Sequence, residues 1–448
     1  MHKSRKTSIA ALAAIIATSQ AAAVAPADEA AAPRDLQVTV RALEAEVVEL
    51  RGLPFKTSVP AEVQSQEEFG QFLDQRIGEV MPDAMSDNYG LIVRRLGLYR
   101  GELANFRQTA KSVMSSQAAA YYDPDVQRFY VLMQDGPDLI MRMLFSHELY
   151  HGLQDQHFGL EKYMPRRGSS PALDSDQMTA RQSVVEGEAT YIMNMWIVKQ
   201  MANKEPTREL MAPVVRMQSE MDMDAIRSMV KMPQAADLMG ESMQAAMKAS
   251  ESIPSFIMES MMGVYLKGLA FVFAVQDQGW SEVEKLYGEY PPQSTEQILH
   301  PEKWQSREPH SAITFQNLAK VSALKDWTLL ASDVVGEFQW RVIFKEQGLG
   351  KEAETASAGW DGDRYAIFKH KDSDATLMLL RTSWDSSAEA EEFADTYRRL
   401  LTNKYAGAPE PVRLIQEGED VYVVEGGRKR DLAALMKGLR KTKKTKVM

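Results

Sequence analysis

The sequence predicts an α+β protein, predominantly helical, in which a large helical lobe precedes a smaller α+β lobe. Three observations carry this expectation. Apolar residues recur three and four apart along most of the first two thirds of the chain, the period of a half-buried helix. A single hairpin signal interrupts them, two aromatic β-prone runs around Asp123-Pro124-Asp125. After Ser306 the texture changes, and strand-like runs alternate with helices.

Taken in order, residues 1–23 read as an export signal. His2, Lys3, Arg5 and Lys6 give a basic start, Ile9 to Ala17 an apolar run too short for a membrane span, and Ala21-Ala22-Ala23 a cleavage site. Ala25 to Pro33 is a low-complexity linker. Leu36, Val40, Leu43, Val47 and Leu50 mark an amphipathic helix ending near Gly52 and Pro54. Ser65 with Glu68 forms a capping box for a helix toward Val80, and further helix follows from Tyr89 to Met114. The hairpin spans Ala119 to Leu132. Its edge could take an extended peptide as an added strand, or it could serve only to cover the next helix.

That next helix carries the chemistry. Asp135-Gly136-Pro137-Asp138 is a start signal, Leu139, Ile140, Met143, Leu144 and Phe145 follow at helical spacing, and Gly159 is a stop. Within it lies His147-Glu148-Leu149-Tyr150-His151, an HExxH motif. Histidines four apart share one helical face, so both imidazoles can reach one metal ion. Glu148 can aim its carboxylate at a water on that ion, the arrangement of a zinc hydrolase. A plain pair of core histidines on an amphipathic helix has the same spacing. A hydrolytic zinc site needs a third protein ligand. The chain has no cysteine, so an acid on a second buried helix is the natural donor. Asp174 to Gln200 reads as that helix, with Val184-Val185-Glu186-Gly187-Glu188-Ala189 inside it. Glu186 and Glu188 point to nearly opposite sides, and Glu186 beside Gly187 is the choice, although spacing alone equally allows an ordinary surface glutamate.

HELYH followed, 34 residues after its last histidine, by VEGEA resembles the gluzincin branch of zinc metallopeptidases. The stretches YYDPDVQRFYV, HELYHGLQDQHFGL with VVEGEAT, YPPQSTEQILHPEKW (290–304) and GWDGDRYAIF (359–368) resemble an uncharacterised family of exported bacterial HExxH proteins. This likeness covers most of residues 40–400. It implies a zincin-like catalytic lobe with zinc held by His147, His151 and Glu186, and Glu148 as general base. Thr190 stands where some members carry an acid that supports a ligand.

Supporting residues are less sharply marked. Asp155, one turn beyond His151, either fixes the tautomer of a ligating imidazole or closes the helix end. His300 is the expected donor to the developing oxyanion, with Tyr122 and Tyr191 as alternatives. Twelve of the 27 methionines fall between Met211 and Met262, as core filling, a mobile lid or groove, or, more remotely, soft-metal ligands. The apolar run from Gly263 to Val275 contains Lys267 and reads as a core helix rather than a span. Beyond Ser306 the expected strands are Trp327–Ala331, Tyr365–Lys369, Leu377–Arg381 and Val421–Glu425. The expected helices there are Val334–Gln347, Ala388–Leu401 and Asp431–Leu439. Gly359 to Arg364 lacks calcium-loop spacing and reads as a tight turn, and the basic run Lys437 to Lys446 as a solvated tail.

A net charge of −10 argues against nucleic acid as a partner. The expected division is a leader (1–23), linker and N-terminal helix (24–58), zincin-like catalytic domain (59–305), α+β domain (306–436) and basic tail (437–448). The expected activity is that of an exported zinc metallopeptidase acting on peptides or proteins, without stable membrane insertion. The rival from another class is a zinc-binding, non-catalytic peptide-binding or chaperone-like protein on the same scaffold. Hydrolysis of a non-peptide bond is a third reading.

Overall fold

A computed structural model describes residues 33–80, 83–101, 106–132, 138–166, 172–221, 253–316, 318 and 321–447. The expected export signal (1–23), most of the expected linker after it, residues 133–137, residues 167–171 and most of the methionine-rich segment (222–252) lie outside the described residues. The fold is α+β, and 56% of the described residues are helix.

The helical half runs α1 (Pro33–Arg51), β1 (Ala61–Val63), α2 (Gln66–Val80), α3 (Asp83–Leu96), α4 (Phe106–Gln117), β2 (Ala120–Asp123) and β3 (Arg128–Val131). It continues through α5 (Asp138–Phe158), α6 (Ser175–Ala202), α7 (Arg208–Ser219) and α8 (Ser255–Gln276). Local signals set the helix ends. Ser65 and Glu68 exchange the capping-box bonds at the start of α2. Asp174 and Gln177 do the same for α6, and Gly159 in the left-handed region (φ 67°) follows α5. The hairpin forms as β2 and β3, antiparallel, and a short parallel strand that the sequence did not announce, β1, adds to β3.

Two short helices, α9 (Thr295–Leu299) and α10 (Pro301–Gln305), lead into the second half. There β5 (Trp327–Asp333), β6 (Trp360–His370), β7 (Thr376–Trp384), β9 (Asp420–Gly426) and β8 (Val412–Glu417) form an antiparallel sheet in the order 5-6-7-9-8. It is flanked by α11 (Glu337–Glu346), α12 (Ser387–Lys404) and α13 (Leu432–Leu439). Both faces of the sheet are buried. Tyr365, Ile367, Met378 and Leu380 enter one core, while Ala366, Phe368, Leu377 and Leu379 enter another against α13.

Three expectations need correction. First, the cores do not follow the linear boundary at 305/306. Phe69, Leu73, Ile92, Val93 and Phe106 of α2 to α4 share a core with Trp340, Trp360 and Trp384 of the second half. Arg95 on α3 reaches the sheet itself, donating to Thr376 Oγ1 (2.7 Å) and Glu410 (2.9 Å). Second, the basic C-terminal run is folded: Leu432–Leu439 is helix, and Lys443–Val447 is a strand, β10, antiparallel to β4 (His310–Thr314). Lys444 pairs with Asp420 (3.2 Å) and Lys446 with Asp361 (2.6 Å), so charge that reads as solvated is partly consumed in the sheet. Third, Asp361 and Asp363 lie in β6, where the register shifts between Trp360 and Gly362, and not in a turn.

By length and composition α8 is apolar enough to cross a membrane. Here it is a core helix against α6, with Lys267 Nζ satisfied by Ser219 O at 2.6 Å.

Candidate metal centre

The site forms where α5, α6 and α8 meet. On α5 the one-turn spacing of His147 and His151 brings their Nε2 atoms to 3.2 Å, rings edge-on. Glu186 enters from α6, its Oε2 3.2 Å from His147 Nε2 and 3.4 Å from His151 Nε2. Glycine lets the third helix come close: a Cβ on Gly187 would lie 2.1 Å from the Gly268 carbonyl carbon of α8, and one on Gly268 2.0 Å from Ser183 O. Backbone therefore touches backbone at the α6–α8 crossing. That crossing sets Tyr265 of α8 over the site, its ring stacked on His147 and its hydroxyl bonded to Glu186.

A second close approach places Glu148. Gly152 leaves room for strand β2, where a Cβ would meet Val59 at 2.9 Å and the Tyr122 ring at 3.3 Å. The Tyr122 N–H then donates to Glu148 Oε2 at 3.3 Å. Glu148 lies outside the ligand trio, as a proton carrier should. All four side chains are buried, at 6% (His147), 3% (Glu148), 6% (His151) and 2% (Glu186) exposure.

The trio fits a tetrahedral zinc ion. Zinc–ligand bonds of about 2.0–2.1 Å at tetrahedral angles put ligand atoms about 3.3–3.4 Å apart. The observed edges are 3.2, 3.2 and 3.4 Å. The donor set is right as well, two imidazoles and one carboxylate, with their lone pairs converging in a buried space. Burial pulls His151 down, but the Glu186 carboxylate more than reverses this and lifts it to about 9. Burial lowers His147. Glu186 is held below the ordinary range, against burial, mainly by His151. Glu148 is pushed up to about 8 by burial, with the Glu186 charge adding to the effect.

Among the expected residues, His147, His151, Glu186 and Glu148 are brought together. Asp155 is not on an imidazole. It accepts from the Tyr122 hydroxyl (3.0 Å) and from the Leu160 N–H (2.9 Å), and so closes the helix end against the hairpin. The partner of His151 Nδ1 is Gln154, at 2.8 Å. His300, expected beside the reacting carbonyl, has its Nε2 3.0 Å from Glu337 at the start of α11. Tyr191 packs against Phe273 and Trp280. Sequence reasoning missed Tyr265, for which no local signal exists, and Gln154, which the i+3 step from His151 could have flagged.

The class defined at this point is a mixed α+β chain with a buried His-His-Glu centre. A family described as a domain of unknown function (DUF8575) matches residues 328–436, the second half of the fold and none of the centre. No curated protein and no solved structure matches the chain.

Proposed function

We propose that the chain is an exported zinc-dependent metallopeptidase with a zincin-like, gluzincin-type lobe, acting on peptide bonds of a peptide or protein substrate. One observation carries the reading: three ligand atoms on two helices lie 3.2–3.4 Å apart, the edges of a zinc tetrahedron with its fourth corner unclaimed by the trio. Bound zinc supplies Lewis acidity, which brings water toward neutral ionisation and polarises a carbonyl. Glu148, anchored by the Tyr122 N–H, accepts the proton of the attacking water and returns it to the leaving amine. Tyr265, already against Glu186, offers the hydroxyl that meets charge developing on the carbonyl oxygen, the part expected of His300.

The test is Glu148→Gln beside wild type in zinc analysis and in turnover of denatured protein. The expected result is equal zinc and lost hydrolysis. Equal turnover in a protease-free preparation overturns the mechanism. The burial of all four site residues favours the second reading, a zinc-binding protein without turnover. One bound zinc per chain with no hydrolysis of any peptide decides for it.

A further inference from the structure

Charge is unevenly spread along the chain. Between Arg428 and Lys446 stand nine basic residues and one acid, Asp431, a local charge of +8, which leaves −18 on the rest of a chain whose net charge is −10. The fold gathers this run into the turn Lys429–Asp431, helix α13 and strand β10. Four of the nine are spent on carboxylates. Arg428 pairs with Asp326 (3.3 Å), Arg440 with Glu417 (2.6 Å), Lys444 with Asp420 (3.2 Å) and Lys446 with Asp361 (2.6 Å). The other five, Lys429, Arg430, Lys437, Lys441 and Lys443, are exposed and meet no carboxylate among the described residues.

Packing decides where these cations stand. Leu432, Leu435, Met436 and Leu439 bury the inner side of α13 in the core against the sheet. The helical period then puts Arg430, Ala434, Lys437 and Lys441 in one row along the opposite side, at steps of four, three and four. Such steps set successive side chains about 5–6 Å apart. Asp431 falls off this row, and the exposed residues between the cations are Ala433 and Ala434, too short to hold a surface away. The row suits a flat anionic plane. Single-stranded nucleic acid needs rings on which bases stack. Among the described residues the one exposed aromatic is Tyr290, in the stretch before α9 and not on this ridge. A charge of −18 elsewhere also repels a polyanion long enough to bend round the protein, whereas a plane meets the ridge alone.

We propose that the ridge of α13 and β10 docks the protein peripherally on a bilayer surface rich in anionic lipid, with headgroup phosphates taken by Lys429, Arg430, Lys437, Lys441 and Lys443. The contact is electrostatic and reversible. Helix α13 does not insert, because its apolar side is already spent in the core. Each lysine or arginine close to an anionic membrane surface strengthens binding about fivefold, so five acting together supply about 10³-fold. The sheet face that α13 covers is the one turned away from the core shared with α2 to α4. Docking therefore leaves that core, and the helical half beyond it, undisturbed. It needs no metal.

The test is co-sedimentation of the full chain with vesicles of equal parts phosphatidylglycerol and phosphatidylcholine, or of phosphatidylcholine alone. Each is run at about 0.1 M and about 1 M salt, between which the screening length falls from about 10 Å to about 3 Å. Wild type is expected to pellet with the anionic vesicles at the lower salt, to be released at the higher, and to ignore the neutral ones. The triple variant Lys437→Gln, Lys441→Gln, Lys443→Gln is expected to bind about 100-fold more weakly. A control triple, Lys162→Gln, Lys204→Gln, Lys351→Gln, removes the same charge from exposed lysines elsewhere and is expected to stay within about threefold of wild type. Wild type left in the supernatant, equal binding to neutral vesicles, or a ridge variant that pellets like wild type overturns the proposal. A control variant that loses as much as the ridge variant overturns it too, since net charge then explains the binding. Tighter binding to duplex DNA than to anionic vesicles at equal phosphate reassigns the ridge to nucleic acid and overturns it as well. The lipid and salt comparisons use wild type alone, so a variant that fails to fold leaves them decisive.

Discussion

Among the described residues two groups of three side chains are close enough to share one cation, and they differ in what fills them. Glu296, Glu308 and Asp385 surround the ammonium of Lys303, at 2.7, 2.9 and 2.5 Å. That cluster brings its own cation from within the chain, and it sits where α9 and α10 meet the second half. Among the described residues no lysine or arginine pairs with His147, His151 or Glu186, whose side-chain partners are each other, Gln154 and Tyr265. Imidazole nitrogens facing one another at 3.2 Å cannot both carry hydrogen, so this group is completed by a shared proton or by a metal. A cluster of ligand-type residues is thus informative only once its own counter-charges have been counted.

The largest effect that sharpens this contrast lies at the trio. Glu148→Gln keeps the ligand set and removes the proton carrier, so hydrolysis should fall about 10²- to 10⁴-fold, read as kcat at unchanged zinc content. Tyr265→Phe removes one hydroxyl beside Glu186 and should lower kcat about 10²- to 10³-fold, again with zinc retained. The second cluster should answer in stability instead. Lys303→Met leaves Glu296 buried without its cation and should cost about 1–3 kcal/mol in denaturant unfolding, with zinc per chain unchanged. A zinc loss in Lys303→Met would break the contrast.

The smallest effect concerns pH. The bond to Glu337 holds His300 above the ordinary histidine range, against burial. A raised folded-state value means that the pair contributes fully below the unfolded value, about 6.5, and that its contribution is lost as pH rises through the folded value. Wild-type stability should therefore fall by about 1 kcal/mol more than that of His300→Asn between about pH 6 and 8.5, in melts at matched ionic strength. Turnover of His300→Asn should stay within a few-fold of wild type. A loss as large as that of Tyr265→Phe would restore His300 to the reaction.

Local signals made the site legible, and distant pairings hid its support. The HExxH helix, its glycine stop and the capping box at Ser65 follow from spacing within one or two turns, and spacing lets α6 offer only one of Glu186 and Glu188, with Gly187 beside Glu186 guiding the choice. Glu188 faces away from the trio as the helical period requires, yet it is as buried as its neighbour, because Arg51 arrives from another helix. Asp155 read either as support for His151 or as the close of the helix end; it takes the second part, and the side chain one position earlier reaches the ring. The C-terminal lysines read as a solvated run because strand β10 finds its partner β4 far back along the chain, a pairing that no local pattern encodes. The folding of α2 to α4 onto the second sheet is hidden for the same reason.

The central claim is that one divalent ion is gripped by His147, His151 and Glu186. Its most direct test is zinc per chain for wild type and Glu186→Ala after stripping with chelator and reloading. The account predicts one zinc per wild-type chain and binding weakened by more than about 100-fold in the variant, beyond the cost of losing a supporting residue. Wild-type protein that takes up no zinc, or a variant that holds it as tightly, would contradict it.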